Sequence, residues 1–295
     1  MQKILKRLHW LDFVIVIAIV GFCTVVWSGF EENLRYEWRW HLVPDYILRW
    51  DEDDQRWAAN LLLQGFITTI RISIYAGVLA LVLGVLLGVA RCSRNLAVRL
   101  LARTYLEFLR NIPPVVIIFI FFFFLSEQLI VALNIEDWAR SIARQEDGAP
   151  IWEFFFGDMR RFPSLISGVI VLALFESAFV GEIVRAGIQS VDKGQSEAAR
   201  SIGMGKIDEM RFIILPQAFK KVIPPTANQF ITLIKDSSII SLISVQELTF
   251  KTLEMVTTAR TIFESWLITA LFYFVICFGL SLVFKRFERK SVQSN

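Results

Sequence analysis

The sequence predicts an all-α protein that crosses a membrane about six times. Three observations point that way. Of the 295 residues, 55% are hydrophobic and the mean hydropathy is +0.53, far above what a water-soluble domain of this length carries. Three runs, Phe13–Phe30, Ile72–Ala90 and Leu267–Phe284, hold no charged residue over about the 17–25 residues that a spanning helix needs. Basic residues then cluster in alternate connections, as they do where loops face the cytoplasm.

Taken in order, the first uncharged run follows a basic start (Lys3, Lys6, Arg7) with no small-residue cleavage site after it, which reads as an uncleaved anchor. Next comes a segment of about 34 residues, acidic from Glu31 to Asp54, with Trp38, Trp40, Trp50 and Trp57 among its charges. Such interleaving suggests an interfacial belt, and a receptor-docking surface is the sharper alternative. The second span carries Gly84 and Gly88, four apart, a small-xxx-small pattern that admits a close neighbouring helix. Arg71 lies just before its uncharged run and can snorkel outward.

Arg91–Arg110 mixes Leu and aromatic residues with Arg94, Arg99, Arg103 and Arg110, the pattern of a basic amphipathic helix. Pro113 and Pro114 stop it and can start the third span, Ile112–Leu133, which contains Glu127. Asn134–Arg161 is a mixed-charge excursion. The fourth span, Phe162–Ile188, contains Glu176, Glu182 and Arg185, and the fifth, Val222–Leu248, contains Lys235 and Asp236. Six spans put both termini on one side. Arg91 through Arg110, Arg185 through Lys221, and the tail Lys285, Arg286, Arg289 and Lys290 make that side cytoplasmic. The domain reading is an anchor with its acidic segment over 1–60, a core over 61–288, and a short cytoplasmic tail, 289–295. Cys23, Cys92 and Cys277 are scattered through apolar runs, a spacing that fits neither a disulfide framework nor a zinc site.

Ionisable groups within spans face a cavity or a partner, because hydrocarbon solvates them poorly. Glu176, Glu182, Arg185, Lys235 and Asp236 are therefore candidates for a solute path, where a zwitterion needs both signs of charge. Two competing readings stand beside this. Glu182 and Arg185, three apart on one helix, can simply pair. Lys235 and Asp236 can satisfy each other, or, before Ser237 and Ser238, mark a broken helix that offers backbone groups to a ligand.

The loop from Gln195 to Pro216 differs from every other connection. Ser196 can cap a short helix starting at Glu197, an acid favoured near a helix N-terminus. Ala198 and Ala199 are strong helix formers with almost no side chain, leaving a smooth face for a partner. Gly203 and Gly205 end the helix and permit a sharp turn. A second amphipathic stretch, Lys206–Leu215, runs to Pro216, which should break it.

Glu197-Ala198-Ala199, then Gly203, Ile213, Leu215 and Pro216, resembles the Glu-Ala-Ala loop of permease subunits of bacterial ABC importers. Gly65…Thr69…Ser73, Glu107…Arg110-Asn111-Ile112-Pro113, Gly181-Glu182…Arg185-Ala186-Gly187-Ile188 and Leu233-Ile234-Lys235-Asp236-Ser237-Ser238 are similar to the polar amino acid (His/Glu/Gln/Arg/opine) branch of that family. The resemblance runs from about Leu62 to Arg286 and leaves out the anchor, the acidic segment and the Asn134–Arg161 excursion.

It implies a type I importer permease fold in the inner membrane, working as a pathway-forming subunit and not as an enzyme. A cytoplasmic ATPase dimer would grip the loop through Glu197, Ala198, Ala199, Gly203, Gly205, Leu215 and Pro216. That partner would bind the ATP and magnesium, leaving this chain without a cofactor or metal of its own. The chain agrees in having no Gly-x-x-x-x-Gly-Lys-Ser/Thr motif. A second permease subunit, the same or different, and a periplasmic solute-binding protein complete the implied set, with membrane lipid around it and no nucleic acid. An ion-coupled secondary transporter is the alternative, although it usually shows inverted repeats. A membrane enzyme has less support, with only His9 and His41 as histidines, and a scaffold would leave the loop unexplained.

Overall fold

A computed structural model describes residues 10–33, 36–52, 55–144 and 150–293. Lys3, Lys6, Arg7 and His9, together with Asp53, Asp54 and Gly148, lie outside the described residues. The chain divides into two compact units, Met1–Trp40 and His41–Asn295. In the first, α1 (Trp10–Asn33) is apolar throughout its middle, and Trp38 stacks on Trp40 with ring centroids 5.8 Å apart.

The second unit opens with a short helix, α2 (Val43–Ile47), and a two-stranded antiparallel hairpin, β1 (Leu48–Asp51) and β2 (Arg56–Ala59), in which Trp50 pairs directly with Trp57. The helices α3 (Leu61–Arg91), α4 (Leu96–Asn111), α5 (Pro114–Ala132) and α6 (Ile135–Ala143) follow. After them come α7 (Pro150–Phe156), α8 (Phe162–Gln189), α9 (Lys193–Ser201), α10 (Leu215–Asp236), α11 (Leu248–Ala259) and α12 (Ile262–Gln293). Among the described residues, four helices are long and apolar enough to cross a membrane: α3, α5, α8 with its lead-in from Met159, and α12. The uncharged run Phe13–Phe30 lies within the single helix α1.

The helix ends obey local chemistry. Asn95 caps α4 by accepting from the backbone N–H groups of Ala97 and Val98. The helix stops at Asn111, because the residue before a proline is pushed out of the helical region, and Pro114 then starts α5 with its fixed φ. The amphipathic reading of this stretch holds from Leu96 onward, since α3 runs on to Arg91 before breaking. The fifth expected span differs more. Its α-helix begins at Leu215 and stops at Asp236, and residues Ser237–Ile243 continue as a tighter 3-10 helix.

The centre of the fold is the pair α3 and α8. A Cβ on Gly84 would lie 2.5 Å from the Val180 side chain, and one on Gly88 would lie 2.6 Å from Val184. The two small residues therefore do what their spacing predicts, bringing two backbones into direct contact. Ile72, Ala76, Ala80, Val169, Leu172 and Leu233 fill the core beside them. A polar knot joins α3, α11 and α12: the buried Glu247 carboxylate accepts from the Phe250 N–H (2.8 Å) and the Tyr273 hydroxyl (2.9 Å), and Thr69 donates to it at 3.4 Å. Every partner satisfies the same carboxylate, which is what makes a buried acid tolerable.

Candidate functional site

The loop after α8 is built on a clamp. α9 begins at Asp192, whose carboxylate accepts from the Gly194 N–H, so the cap is Asp192 and not Ser196. Ser196 sits one turn into the helix and donates instead to Glu209. Arg200 completes the arrangement, with Nε 3.0 Å from Oε2 and Nη2 3.2 Å from Oε1 of the same carboxylate. The Glu209 side chain is buried under these donors. The Arg200 guanidinium, and after it the Ser196 hydroxyl, hold the Glu209 carboxyl below the usual carboxylate range, and Glu209 in turn raises Arg200.

The two alanines do not share a face. Ala199 is buried against the chain and Ala198 points to solvent, because consecutive helical residues are rotated by about 100°. Glu197 is exposed. Gly203 has φ +82°, the left-handed region that other residues enter only with strain. It closes α9 with its N–H bonded to Arg200, followed by Met204 N–H to Ala199. Gly205 has ordinary φ and merely starts the next turn. The bare surface of the loop is apolar: Ile202 is 78% and Ile207 82% exposed, and Leu215 and Pro216 are exposed behind them.

Pro216 does not break the stretch. The chain passes from Lys206–Asp208 through a widened π turn, Glu209–Ile214, directly into α10. Proline lacks an N–H and its ring collides with the carbonyl four residues back; the wider turn removes that collision, so the helix continues. Lys221 Nζ to the Ser190 carbonyl (2.6 Å) and Gln217 Nε2 to Gln195 Oε1 (3.2 Å) pin α10 to the loop.

One end of this helical run therefore carries the loop, and its other half reaches the core. Gln229 of α10 donates to Oε2 of Glu176, the fully buried acid midway along α8, at 2.8 Å. The Glu176 carboxyl also adjoins that of Asp236, and Oγ1 of Thr226 is buried without a hydrogen-bond partner. Glu176, Thr226 and Gln229 line one cavity of about 1030 Å³ with Ile74, Gly77 and Phe230. Its walls are mainly apolar with a few convergent polar groups, the usual make-up of a small-molecule site.

The other charges of the spans separate into different settings. Glu182 and Arg185 form a two-pronged pair, with contacts of 2.9 and 2.5 Å, and Arg110 lies 3.6 Å away, joining α4 to α8. Asp236 stands beside Glu176 at the end of α10, whereas Lys235 is exposed. Ser237 and Ser238 return their hydroxyls to the carbonyls of Ile234 and Lys235, where the α-helix gives way to the 3-10 helix. Arg71 donates to the Glu153 and Phe154 carbonyls of α7.

Several of these groups were not legible as a set. Glu209, Gln229, Thr226 and Glu247 are polar residues of ordinary type, and Gln229 stands 53 residues from the Glu176 it holds. The one local signal was a buried-phase position: Glu209 falls 13 residues after Ser196, across a glycine turn that folds the two together.

Fold and site define a multi-pass α-helical membrane protein whose polar residues converge between spans. Its family follows from comparison. The chain belongs to the binding-protein-dependent transport system inner membrane components, whose family model matches residues 80–293. A probable glutamine ABC transporter permease protein of Bacillus subtilis, GlnM, is 33% identical over 238 residues, covering 80% of this chain and 95% of the relative. The glutamate/aspartate import permease protein GltK of Escherichia coli O6:H1 is 31% identical over 231 residues, covering 78% and 93%. A crystal structure of an amino acid ABC transporter with histidines superposes with a TM-score of 0.62 at 30% identity, over 78% of this chain and 94% of that one. The MetNI methionine ABC transporter, at 16% identity and a TM-score of 0.56, shares the fold.

Proposed function

We propose that this chain is the pathway-forming permease subunit of an ATP-driven importer of polar amino acids. The family match over residues 80–293 carries the reading, and it favours the ATP-driven mechanism over an ion-coupled one. The relatives named for glutamine and for glutamate and aspartate support the solute class. In this reading both termini face the cytoplasm of a bacterial cell and the spans sit in its inner membrane. A second permease subunit completes the pathway, and a periplasmic binding protein delivers the solute.

A cytoplasmic ATPase dimer, which binds the ATP and magnesium, grips α9 through Glu197, Ala198 and the apolar knobs Ile202 and Ile207. Gly203, Gly205, Leu215 and Pro216 shape the turn that presents them. The Glu209 clamp then makes the loop a lever. A push on α9 passes through Ser196 and Arg200 into the run 206–236, which reaches from Glu209 to Gln229 over about 30 Å of helix. Gln229 holds Glu176, so motion of the loop moves a wall of the cavity that both line. Glu176, Lys235 and Asp236 offer polar groups to the solute, and the adjoining Glu176 and Asp236 carboxyls are together suited to an ammonium group. Glu182 and Arg185 hold the cytoplasmic end of that path together.

Two substitutions test the halves separately. Glu197→Lys is expected to abolish uptake while the protein remains in the membrane at its normal level. Glu176→Gln keeps the shape and removes the acid. Losing its hydrogen bond to the solute, worth about 0.5–1.5 kcal/mol, corresponds to roughly a 2- to 13-fold weaker KM for uptake with expression unchanged. Normal transport by Glu197→Lys rejects the docking role of the loop, and unchanged kinetics for lysine, glutamine and glutamate removes Glu176 from the path.

A further inference from the structure

We propose that α7 is a membrane foot, a short helix lying in the plane of the bilayer, with Ile151, Phe154 and Phe155 set among the phospholipid acyl chains of the leaflet opposite the Ser196–Pro216 loop. The sequence reads this segment as part of a mixed-charge loop. The structure makes it a helix with two unlike apolar stripes.

The inner stripe, Trp152 and Phe156, is packed. Trp152 meets Trp138 of α6 edge-on at 5.6 Å, and Phe156 meets Phe162 at 5.1 Å and Tyr75 at 5.6 Å. The outer stripe, at spacings of three and four, is one continuous face: Ile151 is 65%, Phe154 74% and Phe155 49% exposed. Three large apolar side chains in a row on a seven-residue helix form a patch that calls for an apolar occupant.

Depth decides which occupant. The C-terminal carbonyls of α7 are held by α3: Arg71 Nη2 lies 3.1 Å from the Glu153 oxygen and 2.8 Å from that of Phe154, and the Tyr75 hydroxyl lies 2.8 Å from that of Phe155. A cation at a helix C-terminus complements the carbonyls left free there. Gly157 makes the approach possible, since it has φ +79° and a Cβ on it would lie 2.6 Å from Arg71 Nη1. Arg71 is a charged residue within α3 at the edge of the uncharged run Ile72–Ala90, and a cation is far less costly at the hydrocarbon boundary than inside it. Phe162, which Phe156 touches, is the first residue of α8. Two spans thus fix the foot independently at the hydrocarbon boundary, the depth at which aromatic side chains collect in membrane proteins. The Trp50–Trp57 hairpin is different: it precedes Leu61, about 15 Å farther along the α3 axis from Arg71.

The foot is testable in the assembled transporter reconstituted in nanodiscs, with Cys23, Cys92 and Cys277 replaced by serine. Spin labels are placed by Phe154→Cys, Ile151→Cys or Phe155→Cys, with Glu153→Cys as the reference, and relaxation by oxygen is compared with relaxation by a water-soluble nickel chelate. The expected oxygen-to-nickel ratio is several-fold higher at the three stripe positions than at 153. A ratio at all three equal to that of position 153, showing water, overturns the proposal. So does protection from both reagents, showing that a second copy of the chain or a delivery protein covers the face. Ile151→Cys and Phe155→Cys keep the test open if Phe154→Cys does not assemble.

Discussion

Replacing Gly84 and Gly88 with alanine should loosen the α3–α8 pair, and the size of the effect follows from distances. A Cβ at 84 meets the Cβ and Cγ1 of Val180 at 2.5 Å, and one at 88 meets the Cβ of Val184 at 2.6 Å and the Gly181 carbonyl at 2.7 Å. Unstrained heavy-atom contacts are about 3.5–4.0 Å, so each methyl overlaps its neighbour by about 1 Å. Neither obstacle can turn aside, because helical valine has essentially one rotamer and a backbone carbonyl has none. The helices must separate. Overpacking of this kind costs about 1–3 kcal/mol per site. The two costs should add to less than their sum, since one separation relieves both. At about 2–4 °C per kcal/mol, a single variant should lose roughly 2–12 °C of thermal midpoint in detergent, followed by size-exclusion fluorescence. Gly279→Ala is the control, with nothing within 4 Å of the added methyl, and should hold or raise the midpoint through helix propensity. Val180→Ala should not restore Gly84→Ala to the parent midpoint, because alanine keeps the Cβ that the added methyl meets at 2.5 Å. A Gly84→Ala/Gly88→Ala double variant that melts with the parent would refute the close-contact reasoning.

Two further outcomes concern the loop. Gly203→Ala should reduce coupling of uptake to ATP hydrolysis, because a left-handed alanine costs about 1–2 kcal/mol, whereas Gly205→Ala should be close to neutral at its ordinary φ; equal effects of the two would count against the turn. The Glu209 clamp has a pH signature. Its carboxyl is held low by Arg200 and Ser196, so its contribution is complete above the ordinary carboxylate pKa of 4.5 and is lost as pH falls through the lowered folded value. Limited proteolysis within 202–208 should therefore be flat across neutral pH and rise only in acid. Glu209→Gln should cleave faster at pH 7, and a parent whose cleavage rises between pH 8 and 6 would contradict this assignment.

Much of this architecture is written locally. Uncharged runs of spanning length, the Pro113-Pro114 start of α5, the glycine pair of α3, and the i, i+3 pairing of Glu182 with Arg185 all express forces that act between near neighbours in sequence. The left-handed Gly203 belongs with them, since its φ is a property of one residue. The family-like loop was legible for the same reason: its shape is encoded within a single segment.

Other features depend on contacts between segments. Whether Ser196 caps a helix or donates to Glu209 is decided by which acid the fold brings near, and Asp192 takes the cap because it precedes the first turn. Whether Pro216 breaks a helix depends on a π turn whose worth comes from packing α10 against α8. The carbonyls that Arg71 meets come from α7. The sequence by itself determined that this chain lives in a bilayer, roughly where it crosses and which loop is shaped apart from the rest, because hydrophobic transfer and backbone sterics are summed residue by residue. Only the tertiary structure decided which polar groups are satisfied, as at Glu176, and which are left open, as at Thr226, because a hydrogen bond needs its partner within about 3 Å, and that partner comes from another helix.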